Sequence, residues 1–178
     1  MKRLGGVAAA ICAVTIGATP VRGQEPPGAP PPEQRRLDFL VGAWETTDTV
    51  LPVAGFTSGT AHGVIRYAWS VGRRWLVYDF QTTLPGLGAY VVHGAAAFDP
   101  RLGRYRAVVV NNLGDLLTYE GSWADDSTLV FDLTGGAPGR NARVSYVRSA
   151  AGEVRLTSER GTTSGAYEAY FVTRLHRR

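Results

Sequence analysis

From Gly42 to the end of the sequence, turn signals break the chain at short, regular intervals, and no gap between them is long enough for a crossover helix. The punctuation reads "VGR" at Val71, "LPGLG" at Leu84, "DPRLG" at Asp99, "NNLGD" at Asn111 and "ADDS" at Ala124. It continues with "GGAPGRN" at Gly135, "SAAG" at Ser149 and "GTTSG" at Gly161. Ten β-branched and aromatic segments lie around these breaks: Trp44–Val50, Gly59–Trp69, Arg74–Thr83, Ala89–Phe98, Arg104–Asn111, Leu116–Trp123, Thr128–Thr134, Ala142–Arg148, Glu153–Arg160 and Ala166–His176. Successive hairpins without crossovers predict an antiparallel meander. A meander this long splits into a sandwich or closes on itself, and closure removes both unpaired edges.

The alternation along the strands favours a barrel with a cavity. "RWLVYDF" sets Leu76, Tyr78 and Phe80 on one face against Trp75, Val77 and Asp79 on the other, and "RYRAVVVNN" groups Tyr105, Ala107, Val109 and Asn111. Faces that mix aromatics, small residues and an amide suit a cavity wall, whereas a packed sandwich core is more uniformly aliphatic.

The N-terminal residues follow a different logic. Lys2 and Arg3 precede the uncharged run "LGGVAAAICAVTIGA", and Val21 and Gly23 occupy small-residue positions before Gln24. This is the layout of a secretory signal peptide over residues 1–23, and it predicts a periplasmic or secreted protein with no membrane insertion after cleavage. The only Lys, Met and Cys leave with that segment. Removing Lys2, Arg3 and Arg22 from the 19 basic residues leaves 16 against 15 acidic, so the net charge falls from +4 to +1. A near-neutral chain carries no electrostatic footprint for nucleic acid, and it can form no disulfide. Residues 24–34, "QEPPGAPPPEQ", read as a Pro-rich tether, and residues 35–178 as one barrel domain. That domain opens with about two helical turns that place Leu37, Leu40 and Val41 on one side.

A short helical lead followed by Gly42-Ala43-Trp44 at the first strand resembles the calycin barrels, the lipocalins and their relatives. In those barrels the Trp plugs the closed end, and an Arg of the last strand lies across it and bonds the lead's carbonyls. The resemblance implies Arg174 or Arg177 in "FVTRLHRR" for that role, and the two fall on opposite strand faces. "LDFLVGAWE", "GRRWLVYDF", "HGAAAFDPRLGRY", "EGSW" and a final strand ending in Arg occur in this order in the bacterial family called domain of unknown function 1579, which these motifs resemble. The resemblance implies a calycin-like, ten-strand barrel without a common activity. The heme-binding nitrobindins of this group carry Gly-x-Trp-x-Gly and a late-strand His. Here "GAWETT" lacks the second Gly, and "GAYEAYF" offers Tyr167 or Tyr170 in place of the His, so no heme or other cofactor is expected.

Chemistry-bearing motifs are few. His62, His93 and His176 stand on different strands without metal-ligand spacing, and no Gly-x-Ser-x-Gly elbow occurs. Asp79 and Glu120 could pair as buried acid and base, but alternation turns Asp79 outward. Tyr78, Phe80, Tyr90, Tyr105, Tyr119 and Tyr146 are candidates to line a pocket. Extending the inward face of Leu76-Tyr78-Phe80 to its neighbours gives an expected ligand-binding set of Tyr78, Phe80, His93, Asn111 and Tyr119. The expected function is binding of a small, largely apolar molecule in an open barrel mouth, because "LPVAGFTS" is too short for a lidding helix pair. A small cofactor-free isomerase, cyclase or hydratase using Tyr and His, and a filled structural barrel, remain open from the residues alone.

Overall fold

A computed structural model describes residues 30–53, 55–136 and 139–178; the expected signal segment and most of the expected tether lie outside the described residues. The ten expected strands all form: β1 (Gly42–Val50), β2 (Gly59–Trp69), β3 (Leu76–Leu84), β4 (Gly88–Asp99), β5 (Arg104–Asn111), β6 (Leu116–Trp123), β7 (Thr128–Gly135), β8 (Ala142–Arg148), β9 (Val154–Gly161) and β10 (Tyr167–Arg177). Each pairs antiparallel with its neighbours in sequence, and β1 also pairs with β10, which closes the barrel. No strand edge is left open, and the alternation of buried and exposed side chains becomes an alternation of lumen and outside.

A helical turn, Pro32–Arg35, runs into a 3-10 helix, Arg36–Leu40, and together they cap one end. Pro32 suits a first helical position, where its missing N–H goes unneeded. The helical lead therefore begins at Pro32, inside the Pro-rich segment. Gln34 is 2% exposed, donates to the Arg74 carbonyl and accepts from the Phe98 N–H, and the Tyr105 hydroxyl donates to the Glu33 carbonyl at 2.6 Å. Polar residues read as tether thus satisfy backbone groups of the β2–β3 and β4–β5 end of the barrel. The lower core layer lies just inside this cap, with Leu37, Trp44, Leu76, Leu129 and Leu175 almost fully buried.

Candidate functional site

The closed end is built around Trp44, 1% exposed. Its indole N–H donates to the Leu40 carbonyl at 2.7 Å, one of the orphan acceptors that end the helical lead. β1 and β10 set Trp44 opposite Arg177, whose guanidinium lies 4.2 Å from the ring centroid. The same group donates to the Val41 carbonyl at 3.0 Å and the Phe39 carbonyl at 3.3 Å. Arg177 thus fills the role for which the sequence offered two candidates. Arg174, facing Thr47 and Arg155, points outward. Gly42 sits between them at φ +134°, and a Cβ there would come within 2.9 Å of Arg177 Nη1. Glycine is required for both its backbone angle and its lack of a side chain.

Above this plug is a cavity of about 360 Å³ that opens at the other end of the barrel. Its walls are mostly aliphatic and aromatic, with six tyrosines among them: Tyr67, Tyr78, Tyr90, Tyr119, Tyr146 and Tyr170. Burial raises the pKa of every one of these phenols, those of Tyr67 and Tyr78 by a wide margin. All six are neutral hydroxyls at physiological pH. At the mouth, Asn111 donates to Asp115 at 3.0 Å and lies 3.5 Å from the Tyr90 hydroxyl, and Arg140 donates to Asp115 at 2.9 Å. The Asn111 hydrogen bond, with help from Arg140, lowers the Asp115 pKa. The rim is therefore a charge-balanced pair with an amide beside it.

Of the five residues expected to share one interior space, Tyr78, Phe80, Asn111 and Tyr119 line this cavity. His93 does not. β3 and β4 pair Tyr78 with Gly94, Phe80 with Val92, and Asp79 with His93. Directly paired residues point to the same side of a sheet, so the partner of outward Asp79 is outward too. His93 Nδ1 meets Asp79 Oδ1 at 2.5 Å on the outer surface, with both side chains more than half exposed. His62 and His176 are also exposed. Glu120 lies beside Arg104 at 3.7 Å, apart from Asp79. Tyr105, which donates to Glu33, belongs to the closed end rather than to the lumen.

Three further features shape the interior. A bulge in β10 between Ala169 and Phe171 turns Tyr170 into the mouth beside Phe171, and Tyr170 stacks on Phe56 with ring centroids 5.0 Å apart. Tyr167, before the bulge, is left outside, its hydroxyl donating to Asn141 at 2.9 Å. Tyr67 on β2 lies against Tyr78, ring centroids 5.2 Å apart. Asp48 is a carboxylate with 0% exposure, held by hydroxyls from Thr46 at 3.0 Å and Thr173 at 2.8 Å. Burial raises its pKa; hydrogen bonds from Thr82, Thr173 and Thr46 pull it partly back.

No curated protein matches the chain. Among solved structures, the crystal structure of Rv2717c from M. tuberculosis superimposes with a TM-score of 0.65 at 18% identity, covering 84% of this chain and 99% of that one. EF1p2_mFAP2b bound to DFHBI aligns more loosely, at TM-score 0.45 and 14% identity over 82% of this chain and 98% of that one. A de novo designed fluorescence-activating β-barrel gives 0.39 and 9%, over 79% and 95%. At such identities, the likeness to Rv2717c concerns the fold alone. The model of one family, described as a protein of unknown function, matches residues 29–174. That span takes in the cap, Trp44 and every strand except the last three residues of β10, and the chain belongs to this family, DUF1579.

Proposed function

We propose that the protein is an exported binding barrel that holds one small, largely apolar molecule in its cavity. The observation that carries this reading is the cavity itself: about 360 Å³, open at one end and walled by apolar side chains with neutral hydroxyls set among them. Ligand pockets have this volume and this mixture of apolar surface with a few polar groups. The empty space weighs against a filled structural barrel, whose inward side chains would meet at native packing density. A charge-balanced rim and uncharged walls favour a neutral or weakly polar guest over an ion. Export is supported by the basic start, apolar run and small residues ahead of Gln24.

Two measurements test the proposal. The neutral fluorophore N-phenyl-1-naphthylamine should bind one to one. Ala107→Trp, which places an indole in the lumen, should abolish its binding while the far-ultraviolet circular dichroism stays unchanged. Absence of probe binding, together with no small molecule extractable from protein purified without refolding, would refute the cavity's role. For export, N-terminal sequencing of periplasmic or medium protein should begin at or near Gln24; an intact Met1 there would refute it.

A further inference from the structure

Accepting that the cavity binds a small molecule, we infer that its floor is a hydrogen-bond donor site for the carbonyl oxygen of a neutral, apolar ligand. Tyr67 is 2% exposed, and its hydroxyl is the only buried side-chain polar atom among the described residues without a hydrogen bond of ordinary length, its one phenol within longer reach being Tyr146. A buried hydroxyl left unpaired is costly, and native proteins rarely retain one without a use for it. Tyr67 borders the cavity together with Tyr78 and Tyr146. The Tyr78 ring lies flat on the β4 wall, because Gly94 leaves that wall bare; a Cβ at Gly94 would meet the Tyr78 hydroxyl at 2.5 Å. The Tyr67 and Tyr78 ring centroids are 5.2 Å apart, and the Tyr146 phenol lies within reach of the Tyr67 hydroxyl. Three phenols from β2, β3 and β8 therefore converge above the plug.

The chemistry of this floor selects the guest. Phenols kept protonated by burial are donors first. A carbonyl oxygen has two lone pairs, so it can take two of the three protons while the third phenol donates to its neighbour. In that arrangement the Tyr67 hydroxyl, closed off from the lumen, donates to Tyr146, and the ligand oxygen takes the Tyr146 and Tyr78 protons. A carboxylate does not fit: among the described residues the only arginine lining the cavity is Arg140, which lies at the mouth and is held by Asp115 at 2.9 Å. An anion at the floor would be buried without a counter-charge.

Benzophenone and diphenylmethane have nearly the same shape and differ in the carbonyl, so they serve as probes. Wild type should bind benzophenone roughly tenfold more tightly, the order expected for one to two net hydrogen bonds. Bound ¹³C-carbonyl benzophenone should show its infrared stretch below the position in hexane. In Tyr146→Phe and in Tyr78→Phe/Tyr146→Phe the preference should shrink and the stretch move back, while diphenylmethane affinity, which reports an intact cavity, holds. Equal affinity for both probes in wild type, or an unshifted stretch, overturns the donor site and leaves the cavity's binding role standing. The wild-type spectrum decides this even if a variant fails to fold. If neither compound binds, the binding role of the cavity falls, and the donor site with it.

Discussion

Replacing Trp44 by Ala removes the largest fully buried side chain at the closed end, and the structure sets the size of the effect. Truncating a buried Trp costs roughly 3–5 kcal/mol through lost burial and the cavity left behind. The Leu40 carbonyl also loses the indole N–H that reaches it at 2.7 Å. An acceptor stranded this way adds about 1–3 kcal/mol. Together these losses approach the whole stability of a typical domain, about 5–15 kcal/mol. For a domain of this size they correspond to a fall in Tm on the order of 15 °C. Urea denaturation followed by circular dichroism measures this directly, with Trp75→Ala as the comparison. Trp75 is 44% exposed, and its loss should cost under about 1 kcal/mol. Adding Arg177→Met to both backgrounds completes a double-mutant cycle. The guanidinium 4.2 Å from the ring predicts a coupling of roughly 1 kcal/mol with Trp44. A Trp44→Ala cost no larger than that of Trp75→Ala, or a coupling of zero, would refute the plug.

Asp48 carries a raised pKa in the folded barrel, so the folded state holds its proton more tightly than the unfolded chain does. Its contribution to stability is full below the ordinary carboxylate range, is lost as pH rises through the folded pKa, and is level above it. Wild type should therefore lose stability relative to Asp48→Asn across that acidic window, measured as the difference between two denaturation series; a difference independent of pH would contradict it. Gly94→Ala should push Tyr78 off the β4 wall, since the new Cβ would sit 2.3 Å from the ring, and should cost about 1–3 kcal/mol in thermal melts. His93→Ala should leave N-phenyl-1-naphthylamine affinity within about twofold of wild type, because the imidazole is outside; a larger loss by fluorescence titration would place it back in the site.

Strand periodicity and turn chemistry suffice for most of this fold, since each hairpin carries its own punctuation and each strand its own alternation. Gly59–Trp69, Arg104–Asn111, Leu116–Trp123 and Ala142–Arg148 form with the bounds expected from the sequence. The interior set was legible only where parity could be carried across a turn. Asn111 faces the lumen because β4 and β5 pair Val92 with Asn111, so even positions meet odd ones. β3 and β4 instead pair even with even, and the reasoning that turned Asp79 outward required the same of His93. Tyr170 was hidden by the β10 bulge, which no local residue pattern announces. Asp48 was hidden for another reason. A charged residue in "ETTDTV" reads as solvent-facing, and only the approach of Thr173 on β10 and Thr82 on β3 makes a buried carboxylate tolerable. Gln34 reads as tether for a like reason, because its partners at Arg74 and Phe98 are distant in sequence.

The pairing of the first strand with the last has a kinetic meaning. Trp44 meets Arg177, and Asp48 receives a hydroxyl from Thr173, so the contacts that close the wall join the two ends of the domain. Bringing such distant segments together must be paid in loop entropy before the contacts return anything, which makes closure a slow, late step. Until β10 has left the ribosome, β1 has an unpaired edge, the plug has no guanidinium above it, and the Asp48 carboxylate lacks one of its donors. A nascent chain of this topology cannot lock into its native form early. It completes its wall only once its C-terminal strand arrives.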